Sequence, residues 1–357
     1  MEDLPETERL VLMQTSVNMK HSCAVSIIIV NWNGEQYLHD CFRALKNQTF
    51  KDFEIIFVDN ASDDNSVETA RKLASDLKLL MNIVMLSTNT GFATGNNKGL
   101  KQCSGKYIAL LNNDTIAAEN WLKALVEVMD KHQEVGICAS KLIVAGTDII
   151  DSAGDSFYTD LRGFKRGEGE PASLYDSQEY VFGACAGAAL YRKRMLDGTD
   201  LFDEDYFLIF EDLDLNFRAQ LNGWKCLFVP DAVVYHKVNA SVKKLGYISN
   251  VHMARNEKAT ILKNIPAVLL LKYLPLYLLE EVIFSFYYHA RHRSMKTYLR
   301  GNYEFFKNIP AYLKKRTEVM KLKTITAGYL DSTFTPVSPI YREKLKAKIN
   351  TIFKIAK

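Results

Sequence analysis

The chain has 357 residues, 48% hydrophobic, 24% charged and 11% aromatic, with 18 Gly, 8 Pro and 6 Cys. This globular composition excludes a disordered chain, a collagen-like repeat and a disulfide miniprotein, and the length predicts two domains or one with an appendage. The net charge of +3 hides a division, because residues 291–357 carry 16 Lys and Arg against 4 Asp and Glu. A basic tail on an acidic body points to an anionic surface as partner, or to a solvated helical face.

The N-terminus opens with Glu2, Asp3, Glu6 and Glu8, the wrong charge for a secretory leader. The cysteines stand 18 or more residues apart with no C-x-x-C pair, so a zinc ribbon is not expected and a reducing, cytoplasmic setting is. Residues 1–24 read as an extension. From 25 to 140, four short apolar runs alternate with helical patterns. The runs are Val25–Val30, Phe53–Val58, Ile83–Leu86 and Tyr107–Leu111, and the helical patterns are Glu35–Lys46, Ser66–Leu80, Thr94–Gln102 and Asn120–Lys131. Continuous apolar runs suit strands buried on both faces, and strand–helix alternation predicts an open, mostly parallel, Rossmann-like α/β sheet with crossover helices.

In such a sheet the ligand lies beyond the carboxyl ends of the strands. The four loops there read Asn31-Trp32-Asn33-Gly34, Asp59-Asn60-Ala61-Ser62-Asp63-Asp64, Asn89 to Gly99 and Asn112-Asn113-Asp114-Thr115. One such loop is a cap or turn; four at one sheet edge point to a ligand with sugar, base and phosphate groups. Residues 148–177 are polar and Gly-rich, and are expected to form a flexible excursion at the rim. Phe182–Tyr191 is a small-residue strand. Phe207–Gly223 is a helix with an apolar stripe at Phe210, Leu213, Phe217 and Leu221, and Cys226–Val229 and Val233–Tyr235 form a last strand ending at His236.

The ordered motifs VSIIIVNWNG, IIFVDNASDD, NTGFATGNNKG, YIALLNNDT, FEDLDLNFR and VVYH resemble the inverting family 2 glycosyltransferases of GT-A fold, nearest their rhamnosyltransferase-like and galactofuranosyltransferase-like branch. The resemblance covers roughly residues 24–265. It implies a catalytic domain over 25–265, with a nucleotide-binding half to about 140 and an acceptor-side half after it. It also implies a base contact for Asp59 with Asn31 beside it. Asn89, Gly91, Asn97, Lys98 and Asn113 are implied around the nucleotide sugar, and Asp212 as general base next to Glu211. Asn112-Asn113-Asp114 stands where the family has a D-x-D metal motif, a departure that leaves one carboxylate. Asp114 with His236 is then the implied holder of Mn²⁺ or Mg²⁺. Asp214 and Arg218, four apart, are expected to pair with each other, which is the reason for preferring Asp212 as the base. Arg255-Asn256 resemble a recurrent pair without an assigned role.

The implied reaction moves a sugar, rhamnose by resemblance, from a dTDP- or UDP-sugar to a glycan or lipid-linked glycan acceptor in cell-surface polysaccharide synthesis. A sugar-1-phosphate nucleotidyltransferase is the first alternative, but the loop NWNGEQY lacks the basic residue a triphosphate needs. A nucleic-acid binder wants aromatics interleaved in a basic groove, and here they lie in apolar helical runs, so no nucleic acid is expected. An inert scaffold would not need Asp59, Asp114, Asp212 and His236 together. In the helical, basic region 266–357 the apolar stretches are too short to span a bilayer. The last segment, Tyr341–Lys357, sets Leu345, Ile349, Ile352, Phe353 and Ala356 on one face among lysines. This region is expected to sit peripherally on the inner face of the cell membrane, or to form a homodimer through its helices.

Overall fold

The computed structural model describes residues 23–199, 201–238, 246–292 and 295–337, over 283–292 in backbone only. The Tyr341–Lys357 segment lies outside the described residues. Strands β1 (Val25–Asn31), β2 (Phe53–Asp59), β3 (Met81–Met85) and β4 (Tyr107–Leu111) alternate with helices α1 (Glu35–Lys46), α2 (Ser66–Leu77) and α3 (Gly91–Leu100). Three short strands, β5 (Thr115–Ala117), β7 (Ile150–Ser152) and β10 (Glu179–Val181), accompany the long β6 (Val135–Val144), β11 (Ala188–Arg192) and β12 (Lys225–His236) in the same sheet. The strand order is β10-β12-β6-β11-β4-β1-β2-β3. The β4-β1-β2-β3 side is parallel, β6 and β12 are parallel to each other, and β11 runs antiparallel between the two groups.

The apolar runs are continuous because both faces of the sheet are covered. Val25, Ile27 and Ile29 pack with Ile55 and Phe57 under α1, α2 and α4 (Trp121–Lys131), while Ile28, Ile56 and Val58 face the other way. That second face meets α3, α5 (Lys193–Thr199) and α6 (Glu211–Leu221). Side chains alternate along a strand, so each face receives every second residue.

The expected last strand is present as the single element Lys225–His236, with a register shift between Val229 and Val233. One expectation is corrected. Residues 148–177 are no loose excursion: β7 pairs with β6, and β8 (Asp155–Phe157) with β9 (Gly163–Lys165) form a hairpin. Asp151, Ser152, Ala153, Gly154 and Asp155 are buried. The polar composition hid short strands whose polar side chains are satisfied inside. Arg162 at the tip of the hairpin bonds Glu257 and Glu281, each at 3.0 Å, and so ties it to helices α7 (Tyr247–Asn264) and α8 (Ala267–His292).

Helix α9 (Met295–Lys321) packs along α7. After α10 (Ala327–Ser332) the chain returns to the hairpin, where Thr335 donates its N–H to the Phe157 carbonyl at 2.8 Å. Phe157, Phe182, Phe217 and Phe334 form one aromatic cluster with ring centroids 4.6–6.2 Å apart. The described C-terminal helices therefore share a core with β8 and α6. No helix among the described residues is long and apolar enough to cross a membrane. Yet α9 leaves Leu299, Tyr303, Phe306 and Leu313 exposed. At 100° per residue these fall on one face, with Lys296, Arg300, Lys307 and Lys314 along one side of it.

Candidate active site

A cavity of about 400 Å³ opens at the carboxyl ends of β1, β2 and β4. It is lined by Val30, Trp32, Asn60, Asn89, Gly91, Phe92 and Asn112–Asp114 from the first half of the domain, and by Asp155, Gly163–Lys165, Cys185–Gly187, Phe207–Leu213, His236 and Val238 from later in the chain.

Asp114 follows β4 and His236 ends β12, which pairs with β5 so that His236 stands opposite Thr115. His236 Nε2 lies 3.3 Å from Asp114 Oδ1, and its Nδ1 lies 2.8 Å from Asp151 Oδ2. Burial works against the charged ring, but hydrogen bonds to Asp114 and Asp151 outweigh it and lift the His236 pKa to about 9. Lys165 bonds the other Asp151 oxygen at 2.7 Å. Burial would raise the Asp151 carboxyl, yet His236 and Lys165 hold it below the usual value.

This donor set fits a hard divalent cation. Two ligands at right angles, each about 2.1 Å from an ion, stand about 3 Å apart, close to the observed Asp114–His236 separation. An imidazole whose other nitrogen is held by a carboxylate is also the usual arrangement for a metal-binding histidine. No cluster of three or more candidate ligand side chains occurs among the described residues; Asp114 and His236 are the residues that would hold an ion, which would take the place of the Nε2 proton.

Glu211 and Asp212, which also line the cavity, begin α6. Asp212 Oδ1 accepts the Leu213 N–H at 2.8 Å and Oδ2 the Ala186 N–H at 3.3 Å. Desolvation raises its pKa despite these bonds, while the residue remains partly open. Burial, and then Asp212, push Glu211 well up, and its Oε2 is buried with no hydrogen-bond partner among the described residues. Asp155, held by Asn216 at 3.0 Å, is raised by burial and by Asp212. Neighbouring carboxyls disfavour one another's ionisation. Asp214 differs. It meets Arg218 at 2.9 Å and Lys263 at 2.9 Å. These cations outweigh burial and hold it well below the usual carboxylate range. The expected Asp214–Arg218 pair is present, and Asp214 is fully engaged away from the cavity.

The backbone that delivers Glu211 and Asp212 is strained. Phe207, Ile209 and Phe210 all have positive φ, 63°, 68° and 74°, which costs about 1–3 kcal/mol each for non-glycine residues. Gly91, at φ +84°, makes room for this loop, since a Cβ there would stand 2.5 Å from the Phe207 carbonyl oxygen.

Asn89, Gly91, Asn113, Asp114, Glu211, Asp212 and His236 all line the cavity, whereas Asn31, Asp59, Asn97 and Lys98 do not. Asn31 and Asp59, expected against the base, serve their loop: Asn31 donates to Asp59 at 3.4 Å and to Ser62 at 3.1 Å, and Asp59 accepts the Ser62 N–H at 3.1 Å. Asn113 in turn donates to Asn31 at 2.6 Å. Asn97 uses both ends of its amide to clasp Phe202, at 2.8 and 3.0 Å. Lys98 is exposed near the far end of α3. That helix starts at Gly91, three residues before the expected Thr94, and its leading N–H groups have partners within the chain. Gly91 N–H goes to Asn89 and Ala93 N–H to Phe207. Sequence reasoning missed Asp151, Asp155, Lys165 and Asn60. The first three lie in the stretch taken for a loop, where acids beside small residues (Asp151-Ser152-Ala153-Gly154-Asp155) were the available signal.

With this geometry in view, the comparisons with known proteins are decisive. Residues 26–198 match the family profile of glycosyl transferase family 2. They form a family 2 glycosyltransferase domain. An uncharacterized glycosyltransferase of Haemophilus influenzae is 32% identical over 127 residues, 35% of this chain and 38% of that one. TarS of Staphylococcus aureus, a poly(ribitol-phosphate) β-N-acetylglucosaminyltransferase, is 23% identical over 59% of this chain and 35% of its own. The chain thus spans little more than a third of the length of the first curated relatives it matches. The structure of TarS 1–349 with UDP-GlcNAc superposes with a TM-score of 0.57, at 19% identity over 90% of this chain and 92% of that one. A mannosyltransferase from Pyrobaculum calidifontis, solved with GDP-Man and Mn²⁺, gives 0.52 at 14% identity over 94% and 88%. These likenesses show that the family 2 domain has the GT-A fold. The cavity lies partly within it: its lining residues Phe207–Leu213, His236 and Val238 follow the matched stretch.

Proposed function

We propose that this chain transfers a sugar, with inversion, from a UDP- or dTDP-linked donor to a hydroxyl of a glycan or lipid-linked glycan in cell-surface polysaccharide synthesis. The observation that carries this reading is that Asp114, His236, Glu211 and Asp212 all line one cavity. We assign the nucleoside to the Trp32, Asn60 and Asn89 side, next to the Asp59 turn, and the diphosphate to Asp114 and His236. Mn²⁺ or Mg²⁺ bound there would offset the negative charge that builds on the departing diphosphate. Asp212 takes the proton of the acceptor hydroxyl as the C1–O bond breaks, and burial raises its pKa, which makes it a stronger base than an ordinary aspartate.

Incubation with a panel of UDP- and dTDP-sugars that includes dTDP-rhamnose, UDP-galactofuranose and UDP-GlcNAc tests the reading. Divalent-cation-dependent release of free nucleoside diphosphate is expected with one or two donors. Release of pyrophosphate from a nucleoside triphosphate and a sugar phosphate would instead establish the nucleotidyltransferase.

We further propose that the chain works at an anionic membrane surface. Support comes from the apolar face of α9 with its row of cations, and from the basic pattern of Tyr341–Lys357. Each cation near an anionic leaflet contributes about 1 kcal/mol. Flotation with anionic vesicles is expected to recover the full chain, and a chain ending at residue 340 several-fold less. Equal recovery of the two overturns the tail as anchor.

A further inference from the structure

Helix α7 carries a buried polar stripe that the proposed chemistry does not use. His252, Arg255, Asn256, Thr260, Lys263 and Asn264 follow one another at helical spacing on one face. Every one of them meets the segment between Asp203 and Asp214. The His252 ring stacks on Phe207, with centroids 5.3 Å apart. Thr260 bonds the Tyr206 hydroxyl at 2.8 Å, and Asn264 bonds Asp214 at 2.8 Å. Lys263 reaches both Asp203 and Asp214.

Asn256 sits at the centre, 1% exposed. Its Nδ2 faces three backbone carbonyls, of Tyr206 at 3.0 Å, Leu208 at 3.0 Å and Ile209 at 2.7 Å. Its Oδ1 accepts from Arg255 Nε at 2.8 Å, which fixes which end of the amide points at the loop. Arg255 also bonds the Asp205 carbonyl at 2.7 Å and the Tyr206 carbonyl at 3.3 Å. The carbonyls gripped by this pair belong to the turn whose residues hold positive φ, and the next two residues are Glu211 and Asp212. A non-glycine backbone stays in that conformation only where its surroundings over-determine it.

We infer that Asn256, oriented by Arg255, is a positioning residue: it holds the strained 206–210 turn so that α6 begins with the Asp212 carboxylate facing the cavity. Asn256 itself stands outside the cavity lining. The inference rests on the glycosyl-transfer reading for its effect on rate, though not for its effect on the turn.

The test uses the full chain and compares wild type with Asn256→Ala, Asn256→Asp and Arg255→Gln. It combines steady-state kinetics on whichever UDP- or dTDP-sugar the wild type consumes with amide hydrogen exchange by mass spectrometry. Displacement of a reacting group by about 1 Å costs on the order of 100-fold. Asn256→Ala is therefore expected to lower kcat about 100-fold with donor KM within about a factor of two, and to speed exchange in 206–213 selectively. Asn256→Asp keeps the shape and loses the donor; it is expected to be at least as damaging, whereas a residue that only fills space would tolerate it. Arg255→Gln leaves Asn256 in place and is expected to be milder, which keeps the idea testable should Asn256 variants fail to fold. Unchanged kcat in the Asn256 variants, or faster exchange spread evenly over the chain, overturns the inference. Should the wild type consume no sugar nucleotide, the glycosyl-transfer reading falls, and exchange in 206–213 still decides whether Asn256 holds the turn.

Discussion

Asp212→Asn is expected to reduce kcat by at least about 10³-fold while donor binding, read as thermal stabilisation by a nucleoside diphosphate, stays at the wild-type level. General-base catalysis is worth roughly 10²–10⁴-fold, and the upper part of that range applies because no other carboxylate is equally placed. Asp214 is held by Arg218, Lys263 and Asn264, so Asp214→Asn should act through stability, lowering Tm. Glu211 and Asp155 line the same cavity, but both are more deeply buried than Asp212 and are raised further. Substitution of either should therefore lower the maximal rate less than Asp212→Asn does. A base works only when deprotonated, so activity is lost as pH falls through the Asp212 pKa. Because burial raises that pKa, the acid limb should lie above the range of an ordinary aspartate. Near-normal turnover in Asp212→Asn would remove the base assignment.

What the sequence made legible follows what each signal reports. The four strands after Val25 were readable because burial on both faces leaves a continuous apolar run, and α1 and α6 because their stripes recur at helical spacing. The metal-side pair and the acidic pair were readable as residues at strand and helix ends. Asp151, Asp155 and Lys165 were not, because residues 148–177 build short strands from polar residues satisfied only by partners far along the chain, such as His236 and Asn216. Local composition carries no trace of those partners. Asn97 and Asp59 illustrate the reverse case. Their residue types suit a ligand, and the fold adds contacts that no local pattern discloses: Asn97 clasps Phe202 with both ends of its amide and Asp59 accepts the Ser62 N–H. The left-handed turn at Phe207–Phe210 was equally hidden, since nothing in FLIF signals positive φ. The turn exists because Asn256, some fifty residues on, supplies the donors.

Asp114→Ala is expected to abolish the stabilisation that Mn²⁺ confers in the presence of UDP, and chelation of divalent cations should stop wild-type turnover. Two physical accounts of the Asp114–His236–Asp151 row compete. In the first it is an ion pair whose job is to anchor the end of β12; in the second it is an open cation site in which His236 trades a proton for the metal. They separate cleanly in a graded series. A bound ligand at about 100 times its Kd adds about 2.7 kcal/mol of apparent stability, which is several degrees in Tm for a small domain. In the cation-site account the wild type shows this shift, Asp114→Ala loses it, and Asp151→Asn, which removes the partner orienting the imidazole, weakens metal affinity by about 10–100-fold without eliminating it. In the ion-pair account all three proteins differ only in basal Tm, and added Mn²⁺ moves none of them. The 3.3 Å spacing and the Asp151 carboxylate behind the ring favour the cation site. In the cation-site account one carboxylate would suffice, because the imidazole would supply a second ligand and diphosphate oxygens the positions the protein leaves open.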